Sequence, residues 1–244
     1  MSRAAKYYGS QRSLLRMLRH APRQLGELVA AGSQPPLSGN PFEWLDAGLR
    51  LRLPERREPF SLEWRGVDFL AEDAPGTVAA YRSFWPQTGN VPSWDAVGVR
   101  AAAGGREWLL VEAKAHIGEL RQSCAAKPRA EGGSRELIEE RLDEVKAALK
   151  ARVSHSWLEP YYQFANRIAA LWFLHEHGVE ARLVHICMVG DEHFADVARS
   201  TADWGRALAA MDEWAGRPFD HPVEARLHSL VVSLGELEAG ASAE

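Results

Sequence analysis

Residues 94–116 read WDAVGVRAAAGGREWLLVEAKAH, and the fold turns on them. Two strand-like runs, Trp94 to Arg100 and Glu107 to His116, flank Gly104-Gly105, a pair that lets a chain reverse tightly between antiparallel strands. Side chains alternate faces along a strand, so Glu112, Lys114 and His116 point to one side. Asp95, Val97 and Val99 share a face of the preceding strand. With Gly104-Gly105 as a two-residue turn, paired positions sum to 209. That register sets Asp95 opposite Lys114 and Val97 opposite Glu112, and gathers Asp95, Glu112 and Lys114 on one sheet face. Packing alone does not select two carboxylates and an ammonium there. Burying them calls for a compensating ion or partner.

Upstream of the hairpin, Ser10 to Ala31 reads as helical with a break near Pro22. Gly32 to Pro41 is a turn-rich connector, Phe42 to Leu49 a short helix, Ser61 to Leu70 a strand and Phe84 to Asn90 a loop. Downstream, Ala125 to Gly133 is a polar loop, and Ser134 stands as the N-cap of a charged helix reaching about Arg152. A second helix spans Glu159 to His177, with Phe164, Ile168, Leu171 and Trp172 at helical spacing and Gly178 as its stop. Ala181 to Val189 reads as a buried strand, Asp203 to Trp214 as a helix and Leu227 to Leu234 as a last strand. This order predicts an α/β fold with a central mixed β-sheet flanked by helices. Three segments follow: a helical extension over 1–40, one domain over 41–234 and an acidic tail over 235–244.

The chain has 244 residues, 46% of them hydrophobic and 25% charged, enough to bury a core without disulfide staples. Its longest apolar run, Ile168 to Leu174, falls far short of the ~20 residues that cross a bilayer. Cys124 and Cys187 lack a CxxC partner, which excludes a cysteine zinc site and a disulfide framework. A net charge of −4 provides no global field for nucleic acid, although Arg121 to Arg129 and the N-terminus are locally basic. Arg3, Lys6, Arg12, Arg16, Arg19 and Arg23 without an acid have the composition of a transit peptide, but Leu14, Leu15, Leu18, Leu25 and Leu28 fit a packed helix equally well. The expectation is a cytoplasmic protein with no membrane association.

Asp95, then sixteen residues, then Glu112-Ala113-Lys114 across a hairpin resembles the PD-(D/E)XK, or restriction-endonuclease-like, nuclease superfamily. The helix at 159–177 and the strand at 181–189 follow in that family's order. Tyr161-Tyr162-Gln163-Phe164-Ala165-Asn166-Arg167 is similar to the auxiliary Gln motif of its recombination-nuclease branch. Two departures stand out: Pro92 lies three residues before Asp95, and Arg167 occupies a place where that branch carries tyrosine.

The resemblance implies a metal-dependent nuclease, DNA rather than RNA being the partner. Asp95, Glu112 and the Ala113 carbonyl would hold Mg²⁺, with Mn²⁺ as a substitute. Lys114 would hold the attacking water. Gln163, with Arg167 one turn on, would orient water or touch a phosphate. The acidic residue that some members add from their first helix has no firm counterpart here, with Glu27 and Glu43 as the two candidates. A homodimer remains open, as does a catalytically silent module that binds nucleic acid or protein.

Other strings are weaker. Glu144-Val145-Lys146 repeats the Glu-x-Lys spacing, but in a helix, where residues two apart diverge. His175-Glu176-His177 lacks the HExxH spacing of a helical zinc site. No GxSxG elbow or GxxxxGK loop occurs. Trp85 and Trp94 flank the proposed site and are either base-stacking platforms or core residues.

Overall fold

The computed structural model describes residues 10–33, 36–37, 42–45, 63–87, 91–102, 104–190 and 200–233. The expected acidic tail at 235–244 lies outside them. Two helices, α1 (Ser10–His20) and α2 (Pro22–Gly32), precede strand β1 (Glu43–Trp44). Strand β2 (Trp64–Arg65), helix α3 (Pro75–Phe84), and strands β3 (Ser93–Trp94), β4 (Ala96–Ala102) and β5 (Gly105–Lys114) follow. The second half runs α4 (Arg135–Ala148), α5 (Tyr162–Glu176), β6 (Ala181–Val189), α6 (Thr201–Ala215) and β7 (Leu227–Ser233). The result is an α/β fold around a five-stranded mixed sheet of order β1-β4-β5-β6-β7. The β1–β4 and β4–β5 pairs are antiparallel, whereas β5–β6 and β6–β7 are parallel.

Strand β5 lies at the middle of the sheet and is covered on both faces, so it reads as a nearly continuous apolar run. Leu109, Val111 and Ala113 pack against Leu14, Met17 and Leu18 of α1 and Leu25 and Val29 of α2. The helices before residue 41 are therefore part of the layer that closes this face. Trp108 and Leu110 point the other way, into a larger core with α3, α4, α5 and α6. Truncating Leu110, which is fully buried, to alanine would cost about 2–5 kcal/mol. Glu112 and Lys114 continue the face of Trp108 and Leu110, towards α5. No helix among the described residues is long and apolar enough to cross a membrane.

The hairpin register differs from expectation. Ala96 pairs with Val111 and Ala102 with Gly105, so partners sum to 207 rather than 209. Gly105 belongs to the strand rather than to the turn. A slip by two residues keeps every side chain on its face, whereas a slip by one would have reversed them all.

Elsewhere the differences are local. Phe42 and Trp44 are buried and Glu43 is exposed, the two-residue alternation of an edge strand, where a helix was expected. A Cβ on Gly98 would come within 3.3 Å of the Trp44 ring, so glycine permits this contact. Of the strand expected over 61–70, the described residues 63–70 form only β2, followed by a 3₁₀ turn at Asp68–Leu70. Helix α3 has no sequence forerunner. Gly76, Thr77 and Val78 are weak helix formers, but Pro75 starts the helix and Tyr81 packs edge-on against Phe173 at 5.1 Å. Ser134 precedes α4 without a side-chain capping bond.

Candidate active site

Strand β3 pairs with β2 and β4 joins the large sheet, so the chain changes sheets at Asp95. Its N–H donates to the Val111 carbonyl at 2.9 Å. Its carboxylate Oδ2 accepts the Ala113 N–H at 2.8 Å. This tie brings Asp95 over the C-terminal end of β5, beside Glu112.

Glu112 is held from two sides. The Lys114 ammonium donates to its Oε1 at 2.5 Å. Arg167, on the buried face of α5, donates to Oε2 from Nε at 3.1 Å and from Nη2 at 3.0 Å. Arg167 is itself fixed by the Ser93 carbonyl at 2.5 Å, by Asn166 Oδ1 at 2.7 Å and by the Trp94 ring, whose centroid lies 5.4 Å from the guanidinium carbon. Lys114 also donates to Gln163 Oε1 at 2.7 Å. Gln163 and Arg167 are one turn apart, so a single helix face delivers both to the strand end.

The two carboxylates respond oppositely to their surroundings. Burial alone would raise Glu112, but Arg167 and Lys114 overcome it and hold the carboxyl at about 2. Asp95 is driven up to about 7 by burial and then by the charge of Glu112, against the opposing pull of Lys114 and the Ala113 N–H. His185, paired with Glu112 across β6, is pushed down to about 3 by burial and stays neutral. Cys187, paired with Lys114, is pushed up to about 12 by burial, which keeps its thiol protonated and unreactive.

These residues floor a cleft of about 580 Å³. Asp95, Glu112, Ala113, Lys114, Gln163 and Arg167 all line it, so the structure brings these six expected residues together. It adds Glu63, Arg65, Glu119 and Gln122, which sequence reasoning missed. Arg65 lies on the two-residue strand β2 and Glu119 in the 3₁₀ turn Ile117–Leu120, segments too short to carry a periodic signal. Glu27 and Glu43, the expected additional acids, are not at this cleft. Glu43 borders a second cleft of about 610 Å³, alongside Trp64, Phe69 and Trp108. Besides Glu112, the charge of Glu63 also reaches Asp95.

The remaining candidates resolve structurally. Trp85 and Trp94 are buried, and the Trp94 indole donates to the Gly66 carbonyl at 2.7 Å, so both serve the core rather than stacking on bases. His116 pairs with Glu119 at 3.2 Å at the strand end. Within Glu144-Val145-Lys146, Val145 is buried, Glu144 pairs with Arg141 and Lys146 pairs with Asp143. Cys124 and Cys187 are both free and buried. The chain matches no family model, no curated protein and no solved structure, so its chemistry has to be inferred from the site itself.

Proposed function

We propose that the chain is a metal-dependent nuclease that hydrolyses DNA phosphodiester bonds, built on a restriction-endonuclease-like core of the PD-(D/E)XK type. The observation that carries this reading is the meeting of Asp95 and Glu112 beside Lys114 at the floor of a polar cleft. Burial, and then the neighbouring charge of Glu112, raise Asp95 to about 7. A divalent cation between the two carboxylates would relieve both, and an all-oxygen donor set suits Mg²⁺, with Mn²⁺ as substitute. Asp95, Glu112 and the Ala113 carbonyl would hold the ion, which supplies a Lewis acid for the phosphate and an activated water. Lys114 would hold that water and answer the charge growing on phosphorus, with Gln163 fixing its ammonium. Arg65 and Arg167 offer further donors for phosphate oxygens. A cytoplasmic setting, where Cys124 and Cys187 stay reduced, belongs to the same proposal.

The test is cleavage of supercoiled plasmid, linear duplex, single-stranded DNA and RNA in Mg²⁺, Mn²⁺ or EDTA. Asp95→Asn and Lys114→Ala should each lower metal-dependent cutting by about 10²–10³-fold or more. Undiminished cutting by Lys114→Ala would sink the assignment.

One observation favours a second reading, a catalytically silent nucleic-acid- or protein-binding module. Both oxygens of Glu112 already have cationic partners, so the site balances much of its charge without a metal. Calorimetric titration separates the two readings. Mg²⁺ binding that disappears in Asp95→Asn supports the nuclease, and its absence in the wild type supports the binding module.

A further inference from the structure

We propose that His175, Glu176 and His221 form a second metal site, independent of the Asp95–Glu112 pair, that binds Zn²⁺. The local string His175-Glu176-His177 has the wrong spacing, and the fold shows what becomes of its third member. The Nδ1 atom of His177 lies 2.8 Å from the Phe173 carbonyl, and its ring stacks on Phe173 with centroids 3.9 Å apart. His177 is committed to its own helix. The third ligand arrives instead from His221, at the entry to the 3₁₀ turn Pro222–Arg226.

One ligand atom from each of His175, Glu176 and His221 lies within 4.8 Å of the other two. His221 Nε2 and Glu176 Oε1 are 3.5 Å apart. That is close to the ~3.3 Å edge of a tetrahedron whose metal–ligand bonds are 2.0–2.1 Å. The rings of His175 and His221 meet edge to face, with centroids 5.2 Å apart. Two imidazoles and one carboxylate are a donor set suited to Zn²⁺, with the fourth position left for water. His175 and Glu176 occupy the last turn of α5, where the negative end of the helix dipole favours a cation.

Two features oppose the ion and set its affinity. The Val223 N–H donates to His221 Nδ1 at 3.2 Å, which leaves the ring proton on Nε2, facing Glu176. Binding at Nε2 moves that proton to Nδ1 and gives up this one long hydrogen bond. The charge of Lys150 also reaches His221, although Asp220 pairs with Lys150 at 2.6 Å. Both make the site weaker than a tightly closed structural centre. Bound Zn²⁺ would clip the end of α5 to the turn that leads into β7. His175 lies two helical turns beyond Arg167, about 12 Å along the axis, so the clip does not use the cleft residues.

The experiment is a calorimetric titration of the full chain with Zn²⁺ alone, in excess Mg²⁺, for the wild type, His221→Ala, Glu176→Gln and Asp95→Asn. The wild type should take one Zn²⁺ at this site, with a raised thermal midpoint. His221→Ala and Glu176→Gln should each weaken binding by about tenfold or more, and Asp95→Asn should leave it unchanged. Because His221→Ala also removes the contact to Val223, Glu176→Gln is the decisive variant: Glu176 is exposed, and the fold does not lean on it. A wild type that does not bind Zn²⁺, or equal affinity in Glu176→Gln, overturns the site. Neither result bears on the nuclease proposal, which the DNA assay tests separately.

Discussion

Glu107 and Glu112 stand on the same central strand, both buried and both held between cations, yet they differ in what stands beside them. Glu107 faces the α1–α2 side and accepts from Arg100 at 2.7 Å, Arg182 at 2.6 Å and Arg226 at 3.1 Å. Arg226 also pairs with Glu180. Cations surround one carboxylate, and burial that would raise Glu107 is overcome by the Arg100 and Arg182 bonds, which lower it. Glu112, on the opposite face, has two cations but also a second carboxylate, Asp95, and it opens onto a cleft. Glu107 lines neither cleft. A buried, salt-bridged glutamate is thus no sign of chemistry by itself. The neighbouring acid that the fold holds beside Glu112, against repulsion, is what distinguishes that end of the strand.

The sharpest way to break this comparison is to remove each carboxylate in turn. Glu112→Ala leaves Lys114 and Arg167 facing one another in a buried place, and should cost about 3–5 kcal/mol while also abolishing cleavage. Glu107→Ala should cost a similar ~3–5 kcal/mol in urea denaturation, because three arginines lose their shared partner. Its cleavage rate per folded molecule should stay at the wild-type value. Equal loss of specific activity in both variants would erase the distinction drawn between the two ends.

Acid titration sharpens it further, since the two ends respond with opposite sign. The carboxyl of Glu107 is lowered from 4.5 in the fold, so the stability it adds is present above that value and is lost as pH falls through the folded one. Glu107→Gln should therefore differ most from the wild type near neutrality and converge with it in acid. The carboxyl of Asp95 is raised from 3.8 to about 7, so the folded state binds the extra proton and the wild type loses stability as pH rises through that window. Asp95→Asn cannot ionise. It should gain roughly 4 kcal/mol over the wild type at about pH 8, and the gain should vanish towards about pH 4. Thermal unfolding across that range checks both slopes.

The smallest effect belongs to the second Glu-x-Lys string. Glu144→Gln on α4 removes one exposed pair with Arg141 and should shift stability by no more than about 0.5 kcal/mol, with cleavage unchanged.

Much of the site was legible because strand parity is local. Asp95, Glu112 and Lys114 share a face in either register, so the two-residue error in the hairpin did not disturb their grouping. The exact match of β6 to Ala181–Val189 has a similar cause, an apolar run stopped at Gly190 by a positive φ of 93°. Arg167 was visible as the helical neighbour of Gln163, but its bond to Glu112 was not, because that bond joins residues on different elements. Glu63 and His221 gave no signal in the string, since each sits where non-periodic chain happens to return.

The sequence by itself determined which residues share a strand face, where the long helices run and that two carboxylates and a lysine would meet. These follow from side-chain periodicity along one segment, which needs no knowledge of its neighbours. The tertiary structure decided that α3 is a helix, that Glu43 to Trp44 is an edge strand and that the tryptophans beside the cleft belong to the core. It also decided that Arg167 clamps Glu112 and that His221 meets the end of α5. Each of these depends on contacts between segments distant in the chain, and burial against such partners outweighs local propensity.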